Sequence, residues 1–152
     1  MTDLWSTGAP YVRRVSSDSF IEPSVENNCL MIRLDGRAMR TLEALFRAYV
    51  REFRFPEYFG WNWAAFDECI TTLEGRPAHG YLTIIDHADD VLADELKELE
   101  PFEEALTHAG RTWAHAFALP DDFGGGEVPF HTIMVRESKA MTCRRSCDKA
   151  RG

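Results

Sequence analysis

The chain has 152 residues, 45% apolar and 28% charged, a balance that suits one globular domain with its own core and excludes a disordered tract. No apolar run approaches the roughly 20 residues needed to cross a bilayer, so no membrane role is expected. The net charge of −8 is unevenly spread: Glu57–Glu104 holds 13 acids against Arg76 and Lys97, leaving −11 there and +3 elsewhere. Such a segment repels nucleic acid and attracts a basic protein, unless its acids merely solvate a face.

The first residues, Met1–Gly8, are polar apart from Leu4 and Trp5 and lack a basic start followed by an apolar stretch, so a cytoplasmic address is expected. Residues 1–28 read as an irregular N-terminal extension, in which Tyr11-Val12-Arg13-Arg14-Val15 is a short edge strand or a clasp over the core. Cys29–Leu34 is a buried strand closed by the Asp35-Gly36 turn. Thr41 then caps a helix whose apolar face is Leu42, Leu45, Phe46, Tyr49, Val50 and Phe53, ended by Arg54-Phe55-Pro56 because the residue before a proline resists helical geometry.

Pro56–Asn62 is an aromatic-rich loop, and Asn62 caps the next helix whatever else it touches. There Trp63, Phe66, Ile70 and Leu73 recur at helical spacing with Cys69 close by. That period puts Ala64, Glu68 and Thr71 on the opposite side, flanked by Asp67. Gly75 and Pro77 stop this helix, and Tyr81–Ile85 is a second buried strand. Val91, Leu92, Leu96 and Leu99 suggest a helical stretch, with a further helix starting at Pro101, continuing through Phe102, Ala105, Leu106 and Ala109, and stopping at Gly110. Residues 111–129, with Pro120, glycines 124–126 and Pro129, read as a long connection to a third strand, Phe130–Val135.

The order β-α-α-β-α-β predicts an α/β fold, a three-stranded parallel sheet covered by three to four helices, over residues 29–136. Residues 137–152 read as a frayed basic tail. Cys29 and Cys69 read as buried thiols, whereas Cys143 and Cys147 lie four apart in the tail without two further ligands, so neither a metal nor another cofactor is expected. The five histidines (His79, His87, His108, His115 and His131) form no triad or metal pattern; only Asp86-His87, at a strand end, sits where catalytic groups gather.

The stretch Phe55–Leu73, FPEYFGWNWAAFDECITTL, resembles the barstar family: Pro-Glu-Tyr-aromatic-Gly-x-Asn-aromatic, then a helix carrying acids just before a cysteine. The element order is similar to that family's over roughly residues 29–136. The resemblance implies a non-enzymatic inhibitor that occupies the active site of a guanyl-specific ribonuclease, a basic protein partner bound one to one. Carried over by position, Glu68 is the main anchor carboxylate and Asp67 can share or assume that role. Tyr58 is the ring that covers the nuclease's catalytic histidine, Gly60 and Asn62 belong to the contacting loop, Thr71 is a polar contact and Glu104 an outlying acid. Phe59, Trp61 and Ala64 complete the contact set. Two positions depart from the pattern: Ala64 stands where the family has its first helical acid, and Phe59 replaces a tyrosine. Tyr58 can instead pack beneath the loop, and Glu104 can be a plain surface acid. The alternatives to nuclease inhibition are an immunity protein or antitoxin for another effector, and a barstar-like binding module without nuclease inhibition.

Overall fold

The computed structural model describes residues 10–25, 28–73, 75–115 and 128–137. Seven regular elements follow in chain order: β1 (Val12–Ser16), β2 (Cys29–Asp35), α1 (Leu42–Phe53), α2 (Trp63–Ile70), β3 (Gly80–Asp86), α3 (Leu99–Ala114) and β4 (Phe130–Arg136). The strands make one sheet in the order β1-β4-β3-β2, with every pair parallel. Central strands β3 and β4 are buried on both faces, which is why their sequences read as continuous apolar runs.

The sheet therefore has four strands rather than the three expected, and the fourth comes from the N-terminal extension. β1 runs beside β4 with Val12 opposite Thr132 and Ser16 opposite Arg136. Its pattern is blurred because Arg13 and Arg14 interrupt the apolar alternation, and only a neighbouring strand reveals it. Val12 packs with the main core and Val15 with the opposite face.

Two expectations about α3 also change. Residues 88–98 hold two single 3₁₀ turns, Ala88–Asp90 and Leu96–Glu98, in place of a regular helix. α3 begins at Leu99, so Pro101 lies inside its first turn, where a missing N–H breaks no helical bond. Nor does Gly110 stop the helix, which runs on to Ala114. A Cβ at Gly110 would lie 2.4 Å from the Cβ of Tyr11, so glycine there lets the segment leading into β1 cross α3 closely.

Thr41 caps α1 as expected, its hydroxyl accepting from Ala44 N at 3.2 Å, while Glu95 accepts from Leu42 N at 2.9 Å. Arg54 ends α1 in the left-handed region at φ 55°. On the helix-covered face of the sheet, Phe46, Tyr49, Phe53, Phe55, Phe66, Phe102 and Phe130 join in an aromatic core. The opposite face carries Leu82, Ile84, Ile133 and Val135, with Phe20 packed against them. Cys69 is buried, but Cys29, the first residue of the edge strand β2, is only half-buried. Cys143, Cys147, most of the basic tail, Met1–Gly8, and Pro120 and the glycines of the long connection lie outside the described residues. Among those described, no helix is long and apolar enough to cross a membrane.

Two core tyrosines differ in a way that can be measured. Tyr81 donates its hydroxyl to the carbonyl of Arg76 at 2.7 Å. The Tyr49 hydroxyl is buried with no hydrogen-bond partner among the described residues, and burial pushes its pKa far above the ordinary phenol range. An unpaired buried donor costs about 1–3 kcal/mol. Tyr49→Phe is expected to leave stability unchanged or raise it by up to about 1 kcal/mol in urea unfolding, and a clear loss would show that the hydroxyl is bonded after all.

Candidate functional site

The site begins with the side chain of Asn62, which ties the aromatic loop to α2. Its Oδ1 accepts from Ala65 N at 2.8 Å, and its Nδ2 donates to the carbonyl of Gly60 at 3.1 Å. The loop is closed from the other side by Phe59 N donating to the carbonyl of Pro56 at 3.0 Å, and Trp61 takes a left-handed turn at φ 54°. These constraints fix where each ring goes. Tyr58 is 71% exposed and Trp61 48% exposed. Phe59 is only 5% exposed, packed edge-on against Phe46 at 5.4 Å and against Phe55 at 5.3 Å. Without a hydroxyl the ring has nothing to gain from water, and it anchors the loop from below, unlike the exposed rings of Tyr58 and Trp61. Tyr58 does not pack beneath the loop.

α2 has only two turns, and its inner face decides what its outer face presents. Phe66 and Ile70 are fully buried, and Trp63 sits edge-on to Phe46 at 5.1 Å. The Trp63 indole N–H donates to Glu98 at 2.7 Å, joining α2 to the turn before α3. Trp113 of α3 reaches back and donates to the carbonyl of Ile70 at 2.9 Å. With that face fixed, Ala64 and Glu68 are exposed, as the helical period requires. Thr71 lies just beyond the helix and is half-buried; its hydroxyl donates to the carbonyl of Asp67 at 2.7 Å and closes the last turn.

Asp67 has a partner that the sequence did not reveal. Its Oδ1 lies 2.6 Å from Nδ1 of His108 on α3, with the two side chains 42% and 54% exposed. Glu104 is exposed on α3 one turn before His108. Glu100, Glu103, Glu104, Thr107, His108 and Arg111 line a shallow cleft of about 370 Å³ beside it, and Glu103 is paired with Arg14 of β1. Tyr58, Gly60, Trp61, Asn62, Ala64 and Glu68 thus lie along the exposed side of the loop and α2, and Asp67 joins α2 to α3 through His108.

Ion pairing sorts the acids of the negative segment. Asp86 is held by Arg33 through bonds of 2.7 and 3.1 Å. Arg40 takes Asp90 and Asp94 at 2.9 and 3.0 Å. Glu95 and Glu98 serve as the cap and the indole acceptor just described. Glu57, Glu68, Asp89, Glu100 and Glu104 have no ion pair among the described residues, and all but Asp89 belong to the aromatic loop, α2 and α3. The strand-end candidate Asp86-His87 offers less: Arg33 occupies the carboxylate, and His87 Nδ1 sits 3.5 Å from Glu137. Among the described residues no group of three or more His, Cys, Asp or Glu side chains could hold a metal.

A parallel sheet with helices packed on one face and an aromatic loop leading into an outward-facing acidic helix defines a small α/β domain of barstar-like type. A family model described as Barstar (barnase inhibitor) matches residues 29–122, more than half of the chain, and the chain belongs to the barstar family. No curated protein matches it. The match opens at β2 and includes the loop, α2 and α3; β1 and β4 lie outside it.

Loss of the Asn62 side chain is expected to loosen the loop and α2 together. Asn62→Ala should lower stability by about 1 kcal/mol in urea unfolding, the usual cost of an N-cap, whereas Asn62→Ser should recover most of it.

Proposed function

We propose that the protein is a cytoplasmic inhibitor of a guanyl-specific ribonuclease, bound one to one, with Glu68 and the exposed ring of Tyr58 filling the nuclease active site. The observation that carries this reading is that Glu68 projects from the helix face opposite the core with no competing cation among the described residues, while Tyr58 stands exposed on the adjoining loop. A site that binds RNA phosphate must hold arginine, lysine or protonated histidine. A free carboxylate on a rigid helix can take two parallel hydrogen bonds from a guanidinium. Tyr58 and Trp61 add broad, stiff contact area at low entropic cost. Family membership supports the same reading, since the matching model is described as a barnase inhibitor.

Ala64 gives a second reading its foothold. One turn before Glu68 the helix carries a methyl group where the family pattern has an acid, so the surface presents one negative group fewer along its axis. An immunity protein for an effector other than a ribonuclease would be consistent with that difference.

Barnase serves as the probe, with RNA hydrolysis and direct binding as readouts. Glu68→Ala is expected to weaken inhibition on the order of 10- to 100-fold, the value of charge-assisted hydrogen bonds. Glu43→Ala, on the exposed face of α1, is expected to change it little. Equal effects from the two substitutions would remove Glu68 from the anchor role, and no inhibition by the unaltered protein would favour the second reading. The association rate should also fall steeply as salt is raised, because the negative segment steers a cationic partner; a rate indifferent to ionic strength would contradict the steering.

A further inference from the structure

We propose that His108 is a specificity-determining residue of this surface: it positions Asp67 and admits a cationic partner group there only while its imidazole is uncharged. The inference rests on the inhibitor reading and adds a condition to it. A carboxylate only accepts hydrogen bonds, so the 2.6 Å contact places the proton of His108 on Nδ1, donating to Asp67 Oδ1. In the uncharged ring Nε2 is then an acceptor, and it can receive an N–H from an arginine or lysine that approaches Asp67. Once protonated, Nε2 becomes a donor and the ring a cation, so that same approach meets repulsion and two donors facing each other. A partner residue with only donors, such as arginine, therefore fits one protonation state and not the other.

The charged groups around the imidazole come from three elements. From α2 it meets Asp67. On α3, Glu104 stands one turn before it and Arg111 about one turn after it, Glu100 and Glu103 complete the cleft, and Glu103 is paired with Arg14 of β1. Glu68 lies one residue beyond Asp67 on α2, so the two neighbouring carboxylates differ: Glu68 has no cation on it among the described residues, whereas Asp67 is held by the imidazole of His108.

The test compares binding of barnase to the unaltered protein and to His108→Asn, at about pH 5.5 and about pH 8, either side of the range in which imidazole usually changes charge. Asparagine, whose amide N–H falls where Nδ1 does, can still donate to Asp67 but never becomes charged, so its profile reports every titration in the complex except that of residue 108. The unaltered protein is expected to lose roughly three- to tenfold more affinity on acidification than the variant, the effect of one unit charge about 6 Å away in largely aqueous surroundings. Capture with parallel profiles in the two proteins would overturn the role of His108 and leave the inhibitor reading standing. Absence of capture by both proteins at both pH values would overturn the inhibitor reading and this inference with it.

Discussion

Everything presented at the surface depends on how a two-turn helix is held. An isolated helix as short as α2 is not stable in water, so its direction has to come from what packs against it. Phe66 supplies most of that, sitting between Phe46 and Tyr49 of α1 and Phe102 of α3. The indole bond from Trp63 to Glu98 and the one from Trp113 to the carbonyl of Ile70 fix the two ends. Once the inner face is committed to these contacts, the 100° step leaves Glu68 no direction but outward. The aromatic core thus sets the electrostatics of the surface as well as the stability of the fold.

Charge tells a complementary story. The negative segment is not a uniform acidic coat. Arginines from β2 and from the residue before Thr41 reach across and neutralise acids near the carboxyl ends of the strands. Other acids serve as a helix cap and as an indole acceptor. What remains unpaired among the described residues concentrates on the loop, α2 and α3, beside two exposed aromatic rings. That combination of a ring-bearing loop and free carboxylates on a rigid support is what a protein with a cationic cleft can recognise.

Local chemistry was legible in the sequence wherever neighbours along the chain decide the outcome. Thr41 and Asn62 announced their helices because a cap acts over three residues, and β2, β3 and β4 were visible as apolar runs. The outward placement of Glu68 followed from periodicity alone. What stayed hidden depends on partners far along the chain. β1 is recognisable only beside β4, and Gly110 looks like a helix stop until Tyr11 is seen lying on it. Phe59 and Tyr58 are adjacent aromatic residues in one loop, and nothing in their order says which of them turns inward. His108 and Asp67 are 41 positions apart on different helices, with no spacing rule to link them.

The strand order has a consequence for how the chain is made. β1 is made before the other strands described, yet its neighbour among the described strands is β4, the last of them in chain order. β2 and β3 can pair as soon as both exist, but β1 has no place to go until the polypeptide has been made through Arg136, which is a long-range closure of the slow kind. An extended segment left waiting invites pairing with other chains, and charge is a common defence. Arg13 and Arg14, the residues that disguise β1 in the sequence, supply that charge during the wait.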